Sequence, residues 1–284
     1  MFSILNKQIL GPNIKRLDIS APLIAQKARP GQFVMIAPFA RSEAIPLSVV
    51  KVSPEKGIIT LIVQEIGETT QQLGNMPLNE PLFSMAGPLG KSFRPEKLGQ
   101  VVCVATGIGA AQILPIAQSL KDAGNKVLGV LGAKTRRELF LEPQVRPACH
   151  QLFVGTEDGT YQQKATASIL VKKILGKEDI RLVYAVGSLD MMSEICQMTK
   201  EKQIPMLVQL DFPISCPTGV CASCRIKVGG RWVLGCEEGP EFDGHQMDFD
   251  DLQKRRDAWE EFRTQHQPQE AMSLSKMFLE AWKK

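Results

Sequence analysis

Cys216, Cys221, Cys224 and Cys236 put four thiols into 21 residues with the spacing C-x4-C-x2-C-x11-C. Thiolates at this density hold soft metal centres. The C-x4-C-x2-C…C run is the plant-type spacing for a [2Fe–2S] cluster, in which a compact Gly-containing loop turns three sulfurs towards one inorganic core and a later segment returns the fourth. A structural zinc ion is the alternative, because it also takes four cysteines. Zinc motifs usually come as two C-x2-C knuckles, and the x4 arm departs from that pattern. Between the third and fourth cysteines, Arg225-Ile-Lys-Val-Gly-Gly-Arg-Trp-Val-Leu234 forms two alternating runs about Gly229-Gly230, a hairpin signal. A hairpin there brings Cys224 and Cys236 together at its open end. The iron–sulfur reading makes this a redox protein.

A second chemistry is nucleotide binding. Val101-Val-Cys-Val-Ala-Thr-Gly-Ile-Gly-Ala-Ala-Gln-Ile-Leu-Pro115 sets Thr106, Gly107 and Gly109 between an apolar strand and a helix. Glycines allow a tight turn and close approach of a diphosphate, and the helix N-terminus offers free N–H groups and a positive dipole end. The third glycine of the dinucleotide fingerprint is absent, so the context carries the reading: this is the first strand of an alternating domain. Two later strand ends, Gly155-Thr-Glu-Asp-Gly159 and Gly187-Ser-Leu-Asp-Met-Met192, would fall at the same sheet edge. Glu157 or Asp158 suits adenosine ribose hydroxyls and favours NAD(H), whereas Lys134, Arg136 and Arg137 could hold the extra phosphate of NADP(H). These charges also read as an ordinary solvated loop, and Met191 and Met192 as ordinary helix core. Nearer the N-terminus, Gly67-Glu-Thr-Thr70 puts Gly67, Thr69 and Thr70 at a helix start, suited to a phosphate or simply to an N-cap.

The elements that must position these groups follow two rhythms. Residues 1–97 read as short strands separated by turns, among them 17–20, 32–37, 47–52 and 58–63, which predicts a small antiparallel barrel. Residues 98–210 alternate strand and helix, which predicts a parallel sheet covered on both faces. Residues 211–249 hold the cysteine segment. Residues 250–284 form a helical tail in two pieces, the second carrying Leu274, Met277, Phe278, Ala281 and Trp282 as one apolar stripe that packs on its own protein or docks on a partner. The fold class is thus β barrel plus α/β, with a small C-terminal cysteine segment.

Composition narrows the function classes. With 284 residues, 44% hydrophobic and 23% charged, the chain is that of an ordinary globular protein. A net charge of +4 without a basic run, and few aromatics, argue against nucleic acid as a partner. No stretch reads as a membrane span or a signal peptide, and three of the seven cysteines lie in apolar surroundings rather than in a disulfide framework, so the expected location is cytoplasmic. Cys149-His150 resembles a nucleophile–base pair only on paper, because adjacent residues rarely face each other. No catalytic acid or base is assigned.

The order of barrel, nucleotide domain and cysteine loop resembles that of the ferredoxin–NADP⁺ reductase-like flavoproteins. Within them the chain is similar to the small subunits of NADH-dependent ferredoxin:NADP⁺ oxidoreductase (sulfide dehydrogenase) and, more distantly, to the electron-transfer subunits of dihydroorotate dehydrogenase. The residues that carry the likeness include Gly11-Pro-Asn-Ile14, Lys27-Ala-Arg-Pro-Gly-Gln-Phe-Val34, Ile45-Pro-Leu-Ser48, Gly87-Pro-Leu-Gly-Lys91, the 105–109 loop, Glu157-Asp-Gly159 and Gly239-Pro-Glu-Phe-Asp-Gly244. The resemblance implies FAD in the barrel, with Ile45, Pro46, Leu47 and Ser48 along the isoalloxazine and Gly67 to Thr70 at the pyrophosphate. It implies a pyridine nucleotide, NAD(H) rather than NADP(H), on the 105–109 and 187–192 loops. It also implies a [2Fe–2S] cluster that exchanges electrons with a larger flavoprotein or iron–sulfur subunit, and with ferredoxin through that complex. Two positions depart from the pattern. Ala44 stands where the family carries an arginine towards the flavin phosphates, leaving Arg41 as the nearest basic residue, and Cys216 stands where close relatives often use aspartate. The first departure keeps open a rival reading, an iron–sulfur relay subunit without stable FAD.

Overall fold

The computed structural model describes residues 2–211 and 213–265. Its first part contains β1 (Ser3–Gly11), β2 (Ile14–Ser20), α1 (Pro22–Lys27), β3 (Phe33–Ala37), β4 (Ile45–Ser53), β5 (Ile58–Gln64), α2 (Glu68–Asn75) and β6 (Ser84–Leu89). These strands form one antiparallel six-stranded sheet in the order β1-β2-β5-β4-β3-β6. Register follows the apolar alternation: Leu17 faces Leu61 and Ile19 faces Ile59, all four inside. The two edges are joined by a bridge between Ser3 and Pro81 and by hydrogen bonds from Leu82 N to Phe2 O and Asn79 N to Ile4 O, both 2.9 Å. Joining the edges closes the sheet into the expected barrel and removes its free strand ends.

The second part runs β7 (Gln100–Thr106), α3 (Gly109–Asp122), β8 (Lys126–Ala133), α4 (Glu142–Ala148), β9 (Gln151–Thr156), β10 (Gln163–Lys164), α5 (Ala167–Leu175), β11 (Leu182–Val186), α6 (Leu189–Glu201) and β12 (Met206–Gln209). Then come β13 (Arg225–Val228), β14 (Arg231–Leu234), α7 (Gly235–Glu238) and β15 (Glu241–Asp243). The sheet order is β10-β9-β8-β7-β11-β12-β15, parallel except for β15, which runs antiparallel to β12. The chain leaves the sheet after Gln209 and rejoins it at Glu241, so the cysteine loop is an excursion pinned at both ends. The order turns back at β7: β8 lies on one side and β11 on the other, which makes the β7/β11 crevice the topological switch point.

The link between the parts is fastened by one buried side chain. Asn125 accepts hydrogen bonds from Leu98 N (2.7 Å) and Gly99 N (3.1 Å) and donates to Glu96 O and Leu120 O, each at 2.8 Å. Every polar valence of the amide is filled. Asn125→Ala is expected to destabilise the fold by about 3 kcal/mol, from four lost bonds and buried groups left unpaired. Urea unfolding should show a lower midpoint with an unchanged slope; an unchanged midpoint would contradict this role.

Of the described residues, 2–247 pack as one compact unit, and a second unit holds α8 (Phe249–Gln265). The predicted apolar stripe at 274–282 lies outside the described residues. Among the described residues no helix is long and apolar enough to cross a membrane.

Candidate functional site

The cysteine loop is built as the spacing predicts. Gly229 and Gly230 both have positive φ, +56° and +78°, giving the tight turn that joins β13 to β14. Arg225 pairs with Leu234 at the open end, and Gly235 N donates to Cys224 O at 3.0 Å. Cys236 N then points at Cys224 Sγ (3.4 Å), while Cys221 N points at Cys216 Sγ (3.1 Å). The sulfurs therefore stand as two pairs, 216/221 and 224/236, each with a backbone N–H directed at one sulfur. Among the described residues no three His, Cys, Asp or Glu side chains converge as a single-ion site. Ser223 braces the neck of the loop: its hydroxyl lies 3.0 Å from Pro213 O and 3.1 Å from Cys221 Sγ, between the two. That contact, with a further one to Cys216, lowers the exposed Cys221 thiol to about 6; burial, then Cys224, pushes Cys236 up to about 11.

The buried pair is set against the barrel. Cys224 and Cys236 share one apolar cluster with Phe33, Met35 and Ile214, and Ala44, Leu89 and Leu234 pack on it. Lys91 N donates to Gly239 O at 2.7 Å and adds a second fastening. In the β3–β4 register Phe33 faces Ser48 and Met35 faces Pro46. Residues directly opposite in an antiparallel pair share a face, so Pro46 and Ser48 lie on the cysteine side of the sheet. Ile45 and Leu47 instead pack into the barrel core. Of the four residues expected along one ligand, alternation thus gives two to each face. Ala44 helps explain its own departure: an arginine there would have to leave the apolar cluster that Ala44 now completes.

At the second barrel position, both threonine hydroxyls are already engaged. Thr70 Oγ1 accepts from Gly67 N (2.9 Å) and donates to Gly67 O (2.7 Å), and Thr69 Oγ1 donates to Glu43 O (3.1 Å). A phosphate at this site would meet the backbone N–H groups that open α2. Ser42 Oγ also donates to Gln72 Oε1 (2.6 Å), so the loop carrying exposed Arg41 is tied to α2 at two points.

The nucleotide loops occupy the switch point. Gly107 has φ +55° and Gly187 has φ +148°. A Cβ at Gly109 would stand 2.6 Å from the carbonyl oxygen of Val186, and one at Gly187 would stand 2.1 Å from Thr106 Oγ1. These glycines let α3 begin hard against the end of β11. Thr106 Oγ1 accepts from Ser188 N (3.1 Å) and Ser188 caps α6 through Met191 N (3.3 Å), which links the two loops. Met191 and Met192 are buried in α6, so their side chains act as the helix core. At the β9 end, Asp158 accepts from Thr160 N and Oγ1 (3.0 and 2.7 Å), which holds its carboxyl below the usual range and commits it to its own turn. Glu157 is exposed beside it, its N–H bonded to Ala133 O (3.1 Å), and farther along the same loop the Arg136 guanidinium lies 5.0 Å over the Tyr161 ring. Cys149 is buried and pushed up to about 11, and His150 Nδ1 accepts from Val127 N (3.1 Å), so this pair does no nucleophilic chemistry.

Two groups escaped sequence reasoning. One is the Phe33/Met35 face, whose signal was the unbroken apolar run Phe33-Val-Met-Ile-Ala37, buried throughout. The other is a half-buried contact between Gln112 and Asp211, which no local pattern announces.

Known proteins share this arrangement. A family model described as the iron–sulfur cluster binding domain of dihydroorotate dehydrogenase B matches residues 213–248. An uncharacterised protein encoded in the adh 3' region of Clostridium beijerinckii is 34% identical over 90% of each chain. A homologue of the electron-transfer subunit of dihydroorotate dehydrogenase B (NAD⁺) from Thermotoga maritima is 35% identical over 84% of each chain. Among solved structures, that of NADH-dependent reduced ferredoxin–NADP oxidoreductase, described in connection with flavin-based electron bifurcation, superposes with a TM-score of 0.86 at 31% identity, covering 93% of this chain and 95% of its own. With relatives of this identity over most of its length, and a cysteine loop seated on a barrel beside a switch-point crevice, the chain belongs to the family of dihydroorotate dehydrogenase B electron-transfer subunits and their homologues.

Proposed function

We propose that this chain is the electron-transfer subunit of an oxidoreductase complex, of the NAD(P)H-dependent ferredoxin-reductase type, which moves electrons between a pyridine nucleotide, FAD and a [2Fe–2S] cluster and exchanges them with a larger flavoprotein or iron–sulfur subunit. One observation carries the reading: Cys224 and Cys236 share an apolar cluster with β3, directly opposite Pro46 and Ser48. The cluster site and the flavin site are then neighbours on one sheet. The solved relative at 31% identity and the family match at 213–248 support it.

The residues present fit the groups they would hold. Four thiols in two pairs match two irons, each taking two thiolates. The N–H groups of Cys221 and Cys236 point at sulfurs, where they stabilise negative charge and raise the potential. FAD, when bound, accepts a hydride and gives up its electrons singly, and a [2Fe–2S] cluster carries them one at a time. The chain's own work is positional. Phe33, Met35 and Ile214 exclude water between the two sites. Gly107 and Gly109 let the nucleotide diphosphate approach the backbone at α3, and exposed Glu157 supports NAD(H) over NADP(H) by suiting a free ribose hydroxyl. The proposed division of labour is FAD on 1–97, nucleotide on 98–210, cluster on 211–249 and partner docking on 250–284.

Arg41 would supply the flavin-phosphate charge that Ala44 does not. Arg41→Ala is expected to weaken FAD retention about tenfold or more, since a charge-assisted bond contributes about 1.5–3 kcal/mol. Equilibrium dialysis against FAD measures this; unchanged retention would show that the backbone of α2 holds the phosphates alone. The whole reading is tested by analysing anaerobically purified protein for iron, labile sulfide and FAD. Two irons, two sulfides and one flavin per chain are expected. Iron and sulfide without flavin would leave the relay reading instead, and zinc in their place would end the redox reading.

A further inference from the structure

Gln112 and Asp211 lie 99 positions apart and meet through a hydrogen bond from Gln112 Nε2 to Asp211 Oδ1 at 2.5 Å. Gln112 sits in the first turn of α3, three residues past Gly109, and is only 7% exposed. Its other polar atom, Oε1, is buried without a partner. A buried acceptor left open is rare and points to something that fills it. Asp211 follows β12, whose neighbour β11 ends at Gly187 and whose next neighbour β7 ends at the 106–109 loop. Gln112 and Asp211 therefore share the carboxyl edge of the sheet with both nucleotide loops. Asp211 is exposed on its outer side, while the protein packed around it raises its carboxyl pKa by burial, partly opposed by the Gln112 bond.

The ligand that fits is defined by this pattern. Gln112 Oε1 is an acceptor without a partner, and the Asp211 carboxylate, bonded to Gln112 Nε2 through Oδ1, is a second acceptor on the adjoining side chain. A primary carboxamide presents two N–H donors in one plane. We propose that Gln112 and Asp211 are a carboxamide-recognition pair that receives the nicotinamide amide and so sets which face of the ring is offered for hydride transfer. The inference rests on the pyridine-nucleotide reading. Both are positioning residues, since neither touches the reacting carbon. Fixing the amide fixes the ring, and a misplacement of about 1 Å at a reacting centre can lower a rate about 100-fold.

The test compares two ligands on the full, oxidised chain: NAD⁺, and ADP-ribose, which lacks the nicotinamide. Titration calorimetry on the wild type should show NAD⁺ binding more tightly. Gln112→Met keeps the volume and removes both polar atoms; it should weaken NAD⁺ about tenfold and leave ADP-ribose within about twofold, as expected for one hydrogen-bonded group lost. Asp211→Asn is the independent second variant and should show the same selective loss. Unchanged ADP-ribose affinity in each variant also demonstrates a folded site. Equal weakening of both ligands, or no weakening of either, would overturn the pair, as would a buried water serving as the sole occupant of Gln112 Oε1. A wild type that binds ADP-ribose and NAD⁺ equally overturns the pair while leaving the nucleotide site standing. A wild type that binds neither removes the nucleotide site and the pair together.

Discussion

Cys224→Ala is expected to strip iron and labile sulfide from the protein while leaving flavin reduction by NADH within about twofold. Cys224 is 1% exposed and sits at the root of the β13–β14 hairpin, so its sulfur is placed by the sheet register rather than by a free loop. No other cysteine can replace it. The remaining three, Cys103, Cys149 and Cys196, are buried in or against the nucleotide sheet. Partners outside a metal's ligand set are typically worth about 10–100-fold in affinity, so removal of a ligand should exceed 100-fold. The flavin strand is on a separate register pair, and Ala at 224 keeps the apolar cluster nearly filled. Iron, sulfide and flavin analysis, with stopped-flow reduction by NADH, reads both halves. Full iron content in the variant would remove Cys224 from the ligand set.

Gly109→Val should have the largest effect on the nucleotide side. The new Cβ would stand 2.6 Å from Val186 O and 2.9 Å from Val186 C, both backbone atoms that cannot swing aside. Ordinary carbon–oxygen contacts lie near 3.3–3.6 Å, so α3 must retreat from β11 by most of an ångström. That retreat opens the switch-point crevice and carries Gln112 away from Asp211. The expected fall in the rate of flavin reduction by NADH is about 100-fold, the usual consequence of a misplacement of this size. α3 also packs against β4 of the barrel, so FAD content is measured alongside, and a fall in rate that exceeds any loss of FAD assigns the effect to the nucleotide side. A near-normal rate would place the nucleotide elsewhere.

The features legible in the sequence were those encoded locally. Two glycines between alternating runs announce a hairpin, and the hairpin dictates that Cys224 and Cys236 meet. A G-x-G after a five-residue apolar strand announces a close strand–helix turn, and Gly109 shows why no side chain is tolerated there. Locally ambiguous signals were lost. α4 is short and carries a proline within it, which hides a helical stripe; α5 does carry one, at Ala167, Leu170, Val171, Ile174 and Leu175, but over only nine residues. β6 carries Gly87 and Pro88, which suppress a strand reading even on a barrel edge. The hydroxyls of Thr69 and Thr70 look suited to phosphate in the sequence; in the structure Thr70 caps α2 at Gly67 and Thr69 bonds Glu43 O, which no local pattern announces. Contacts between distant segments were invisible. Phe33 and Met35 gained a role only when the cysteine loop folded onto them, and Gln112 only when Asp211 arrived from across the domain.

In the proposed function this chain passes electrons from pyridine nucleotide through a flavin site to a cysteine-held cluster next door. The most direct measurement is an anaerobic NADH titration followed together by visible absorption and electron paramagnetic resonance. The flavin absorbance should bleach and the signal of a singly reduced two-iron cluster should rise with it, the second response vanishing in Cys224→Ala while the first persists. Flavin that bleaches in the wild type without any cluster signal, or cluster bands untouched by NADH, would contradict it.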